Sequence, residues 1–156
     1  MRTRLTLTPL LLLLALAIPA CGGDDGGDQL STSEYKAEVK KFCTEQDKES
    51  DALGEPKSTE SAELAKFFQK GTDLQEKYKD RFADLVPPDE FEDLQKQVED
   101  LNEQEVELLK KVTKELEDGG DAREVINKYQ PQIEELQTKG DQLAQQVGVP
   151  ECKSDA

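Results

Sequence analysis

The chain has 156 residues, with 20 Lys and Arg against 35 Asp and Glu and a formal net charge of −15. A surface that acidic repels nucleic acid and anionic headgroups, so neither is expected as a partner. It has no histidine, which removes the commonest general base, the usual Ser-His and Cys-His nucleophile systems and the commonest transition-metal ligand.

The chain opens on a basic stretch holding Arg2 and Arg4, followed by an apolar run from Leu5 to Leu16 and then Ala17-Ile18-Pro19-Ala20-Cys21. That order of charge, apolar run and small residue is the layout of an export leader. The uninterrupted apolar part, Leu10 to Ala20, is shorter than the ~18 residues a spanning helix needs. Ile18, Ala20 and Cys21 resemble the lipobox of bacterial lipoproteins, with Pro19 departing from the small residue usual at its position. The resemblance implies cleavage before Cys21 and a diacylglycerol on its thiol, often with a third acyl chain such as palmitate on its amine. It places the protein outside the cytoplasm, lipid-anchored to the cell membrane. With Gly22 rather than Asp after the cysteine, a two-membrane cell is expected to pass it to the outer membrane. An ordinary secreted protein cut near Ala20 is the competing reading.

Residues 1–20 are thus read as a signal peptide, 21–31 as a tether carrying the lipid, and 32–156 as one domain. The tether, rich in Gly and Asp, has a composition that buries little surface. Stretched out, it spans roughly 30 Å.

From Ser31 onward the chain lacks sustained alternation and is dominated by Glu, Lys, Gln and Leu, which favour helices. A first helix is predicted over about 32–53, opened by a Ser31/Glu34 capping box and closed by Gly54 and Pro56. A second covers about 59–85, with Leu64, Phe68, Leu74, Tyr78 and Phe82 on one stripe, and stops at Val86-Pro87-Pro88. A third covers about 89–117 and ends at Gly119-Gly120. A fourth covers about 121–147, capped by Asp121 and closed by Gly148. Pro131 falls inside it and removes a backbone hydrogen bond, so a kink, a break into two helices or a tolerated bend is expected. The last three helices are each roughly 40 Å long, and short connections make neighbours antiparallel. The fold class expected is all-α, an up-down-up-down four-helix bundle. A helical hairpin of the second and third helices with looser flanks is the runner-up.

With Cys21 lipidated, Cys43 and Cys152 remain, and in an oxidising compartment that pair points to a disulfide rather than to free thiols or a link between chains. Cys43 lies about 15 Å along the first helix. The residues after Gly148 must therefore turn back, and four of them reach about 13 Å. That geometry predicts Val149 and Pro150 packed on the first helix. A loop of roughly 100 residues closed in this way stabilises by up to about 4.7 kcal/mol in the chain-entropy model.

No catalytic residues emerge from the pattern, and no enzyme, cofactor or metal site is expected. Gly71 and Gly140 interrupt apolar stripes at a cost of about 1 kcal/mol each. Either they let helices approach closely or they mark a ligand slot lined by Gly71, Tyr78, Tyr129 and Gly140. Gln46 and Glu105 also fall where apolar side chains are expected. They either form a partly buried pair or reach water as the stripe drifts.

The whole layout resembles small bacterial lipoproteins: an acyl-cysteine, a tether, a helical body with a mid-helix cysteine, the Leu85-Val86-Pro87-Pro88 hinge and a terminal Gly148-Val149-Pro150-Glu151-Cys152. The function expected is a non-enzymatic binding or accessory module at the envelope. Its partners would be the membrane, through Cys21, and an envelope protein or cell-wall component. A solute- or cation-binding lipoprotein using the interhelical slot or the acidic surface is the alternative.

Overall fold

The computed structural model describes residues 29–153. The leader, Cys21, the Gly/Asp stretch up to Asp28 and residues 154–156 lie outside the described residues. Within them the chain is four long helices and two single turns: α1 (Thr32–Leu53), α2 (Ser61–Ala83), a 3₁₀ turn Asp89–Phe91 leading into α3 (Glu92–Glu117), α4 (Ala122–Val147) and a closing 3₁₀ turn Pro150–Cys152. No strand occurs among the described residues.

The helix starts follow from local chemistry. Ser31 and Glu34 form the full capping box: the Ser31 hydroxyl accepts from the Glu34 amide at 3.4 Å and the Glu34 carboxylate accepts from the Ser31 amide at 3.0 Å. The Asp121 carboxylate accepts from the Glu124 amide at 3.0 Å and opens α4. Glu60, which precedes α2, makes no side-chain cap, and α2 starts two residues later than its composition predicts. Gly148 ends α4 in the left-handed region, φ 83°. Gly120 is required for a different reason: a Cβ there would lie 2.8 Å from the Glu115 carbonyl oxygen and 2.9 Å from Val125.

α4 runs through Pro131 as one helix, so the break into two shorter helices does not occur. Pro131 itself is exposed.

α2 packs most extensively on α3, then α3 on α4, and α1 on α2 least of these pairs. The helices form an up-down-up-down bundle, as the sequence predicts. Its two ends differ. At one end all four helices contribute, with Tyr35, Phe42, Phe82, Phe91 and Val147 in a single cluster on which Leu94 and Val98 of α3 pack. Tyr35 stacks on Phe91 with ring centroids 5.2 Å apart, and Phe42 meets Phe82 edge-on at 6.2 Å. At the other end only α2, α3 and α4 meet, through Ala65, Val112, Leu116 and Val125. Between them Leu101 and Leu108 of α3 face Leu136 and Leu143 of α4.

The asymmetry comes from α1. Its buried residues Tyr35, Val39 and Phe42 all lie in its first half. Its second half lies over the latter part of α2 through charged and amide side chains. Arg81 donates to Glu45 at 3.0 Å, and Lys77 and the Tyr78 hydroxyl both reach Glu49. α1 therefore ends partway along the bundle, and residues 54–60 carry the chain to the far end. There the Ser61 hydroxyl donates to the Gly120 carbonyl at 2.7 Å.

A buried polar cross-link fixes the other end. The Tyr35 hydroxyl, on a fully buried side chain, donates to the Gln95 side-chain oxygen at 2.8 Å. The Gln95 amide nitrogen donates to the Phe82 carbonyl at 3.1 Å and to Glu99 at 2.9 Å. Burial, and then the Glu99 charge, push the Tyr35 hydroxyl up to about 12. The last residues read as tether are also held here: the Leu30 amide donates to the Val86 carbonyl at 3.0 Å, and Gln29 reaches Asp89 at 2.6 Å.

No described helix is long and apolar enough to cross a membrane.

Candidate functional site

Because α1 leans on α2, its direct contacts with α4 are sparse. The two helices are joined instead by the closing turn. Cys43 of α1 is bonded to Cys152, with the Cα atoms 5.2 Å apart and a sequence separation of 109. Val149 is 3% exposed and sits in the cluster around Tyr35 and Val39, where the reach of the segment predicts it. Pro150 instead starts the turn and stays exposed. An ion pair between Lys40 and Glu151 adds a second tie from α1 to that turn.

What remains between α1 and α4 is a groove of about 280 Å³. The Cys43–Cys152 bridge forms part of its wall. Its floor is apolar, built from Phe42, Tyr78, Leu101, Leu143 and Val147. Its polar side chains are Gln46 and Asp47 of α1, Gln75 of α2, Asn102 and Glu105 of α3, and Gln137 and Asp141 of α4, with Lys153 beyond the turn.

Three of those side chains form a chain across the bundle. The Gln46 side-chain amide donates to the Gln75 side-chain oxygen at 2.6 Å. The Gln75 amide donates to Glu105 Oε2 at 2.5 Å. Gln46 and Glu105 thus do not drift out to water as the sequence allows. They turn into the groove, partly buried, and are joined through Gln75. Burial alone pushes the Glu105 carboxyl up to about 7, since a carboxylate loses hydration there that one amide hydrogen bond does not replace. Asp47 is also raised, by burial and then by the Asp51 charge.

The four residues expected to line one slot are divided by the structure. Tyr78 and Gly140 lie on the groove. The Tyr78 hydroxyl donates to Glu49 at 3.0 Å. A Cβ on Gly140 would sit 3.6 Å from Leu101, so this glycine brings α4 close to α3. Gly71 lies outside the groove, with nothing within 4 Å of where its Cβ would be. Tyr129 belongs to the three-helix end and donates to Glu115 at 2.9 Å. The reason is level: α2 and α4 start at the same end, where Ser61 bonds Gly120 and Ala65 packs with Val125, so Gly71 and Tyr129, early in their helices, lie nearer that end than Tyr78 and Gly140. Gln75, Asn102, Gln137 and Asp141 were not singled out in the sequence. Each sits directly after a stripe residue, Leu74, Leu101, Leu136 or Gly140, a position that does not distinguish a groove-lining side chain from a solvated one.

Among the described residues no group of three or more carboxylate, cysteine or histidine side chains is placed to hold a metal ion. Both described cysteines are engaged in the disulfide. The groove offers apolar contact, amide donors and acceptors and one acid titrating near neutrality. Comparison with known proteins gives no assignment: no protein-family model, no curated protein and no solved structure matches this chain.

Proposed function

We propose that the protein is a non-enzymatic binding module of the cell envelope, anchored by acyl chains on Cys21, with the groove between α1 and α4 as its ligand seat. The observation that carries the reading is the groove itself. An apolar floor with a few convergent polar groups is the general form of a ligand site. At about 280 Å³ it falls just short of the ~300–1,000 Å³ usual for such sites, which favours a small ligand over a partner helix. The solute-binding alternative raised by the sequence is therefore the form of binding the geometry supports better than docking of an envelope protein.

Attachment rests on the leader and on Ile18-Pro19-Ala20-Cys21. Gln29 and Leu30 are tied to the α2–α3 connection, at the same end as the Cys43–Cys152 bridge. A tether from Cys21 would therefore meet the bundle at the end where Leu30 packs in one cluster with Cys43 and Cys152. Roughly 30 Å of extended chain allows the domain to stand clear of the headgroups.

Two measurements test the two parts. Mass spectrometry of the mature terminus from envelope fractions is expected to find a diacylglyceryl Cys21, and an unmodified thiol there would remove the anchor. Envelope extracts titrated against the isotope-labelled protein are expected to hold a small-molecule fraction that shifts the methyl resonances of Leu101, Leu143 and Val147. Shifts confined to other surfaces would move the binding site elsewhere.

A further inference from the structure

We infer that the groove selects a small organic cation, an amine carried on a short apolar stem, with Glu105 as the group that receives the charge. The inference rests on the ligand-seat reading above and deepens it.

Three observations define the occupant. The size of the space admits a small molecule, and its floor of Phe42, Leu101, Leu143 and Val147 rewards an apolar stem. The charge facing it is acidic. Glu105 from α3 and Asp141 from α4, both partly buried, and the exposed Asp47 from α1 lie on the lining, Lys153 is the single basic residue there, and α2 contributes only neutral side chains such as Gln75 and Tyr78. Finally, Glu105 is placed for the purpose. Gln75 donates to its Oε2 at 2.5 Å, and Gln75 is itself held by Gln46 at 2.6 Å, so the carboxylate is oriented from α1 and α2 together. An ammonium group beside it would restore the stabilisation that burial removes from the ionised form. The raised pKa of Glu105 is what an acid waiting for a cation in a partly dry site should show. Binding an amine would then release a proton from Glu105 when the complex forms near pH 7.

The test uses the complete chain in lipid nanodiscs, with three probes of equal stem length: pentylamine, 1-pentanol and pentanoate. Binding is read from the methyl resonances of Leu101 and Leu143, which report the groove whatever the probes do in the lipid. Charge-assisted hydrogen bonds are roughly twice as strong as neutral ones, so at pH 8 the amine should bind about tenfold more tightly than the alcohol, with pentanoate weakest. The preference should shrink at pH 6, where Glu105 holds its proton. It should vanish in Glu105→Gln, whose amide still accepts from Gln75 and whose fold is checked in the same spectra. If amine and alcohol bind equally, the ligand seat stands and the selection of a cation is refuted. Tighter binding of pentanoate refutes the charge assignment. If none of the three probes moves the groove methyls, the ligand seat and the inference fall together.

Discussion

At the scale of the residue, Glu105 carries most of the chemistry. Its carboxyl is pushed up to about 7 in the folded chain, against an ordinary value near 4.5. Below pH 4 both folded and unfolded chains hold the proton, and the shift costs nothing. As pH rises through the unfolded value, the unfolded chain releases its proton first, so stability falls until the folded group also ionises near 7. The loss is on the order of 3 kcal/mol at the alkaline side. Glu105→Gln keeps the Gln75 hydrogen bond and has no proton to lose. Thermal unfolding should therefore show this variant matching the parent near pH 4 and melting several degrees higher at pH 8. A parallel pH dependence in the two proteins would show that Glu105 is not desolvated. The surface carboxylates behave oppositely: ion pairing holds Glu103, Glu115 and Glu151 below their ordinary range, so what they contribute is lost as pH falls.

At the scale of the element, helix ends were legible because they are written in local chemistry. The Ser31/Glu34 box, Gly54, Pro87-Pro88, Asp121 and Gly148 each act within one turn of their own position, and the predicted bounds of α1 hold to the residue. Pro131 was harder to read, since the cost of an interior proline can be met by bending, breaking or tolerance. Here α4 continues, and Pro131 is on its exposed side. An uninterrupted helix that carries a proline forgoes the bond to the Asn127 carbonyl. Pro131→Ala is expected to stabilise the domain by about 1–3 kcal/mol in chemical denaturation. A destabilised variant would mean that the proline sets a bend on which α4 packing depends.

At the scale of the whole molecule, the decisive feature was not legible. Periodicity shows that each helix has an apolar face, and the expected bundle followed from four such faces. The crowding of Tyr35, Val39 and Phe42 into the first half of α1 is written in the chain; that α1 therefore covers only one end of the bundle is not. A slot shared by Gly71, Tyr78, Tyr129 and Gly140 required the two glycines to face each other, and their different depths along α2 and α4 keep them apart. The short buried stretch of α1 leaves it held to α4 chiefly through the closing turn and its disulfide. Replacing Cys43 and Cys152 together by Ser should cost up to about 4.7 kcal/mol. Hydrogen exchange should then rise in α1 well before it rises in α2 or α3. Equal loss of protection in all four helices would show that α1 is held by packing alone.

A binding seat between α1 and α4 responds to a ligand differently from an accident of loose packing. A titration of the complete chain with 1-pentanol, followed by methyl NMR, separates the two most directly. Saturable shifts are expected at Leu101, Leu143 and Val147, with Val112, Leu116 and Val125 of the three-helix end unmoved. Silent groove methyls, or equal shifts at both ends, would contradict a binding seat there.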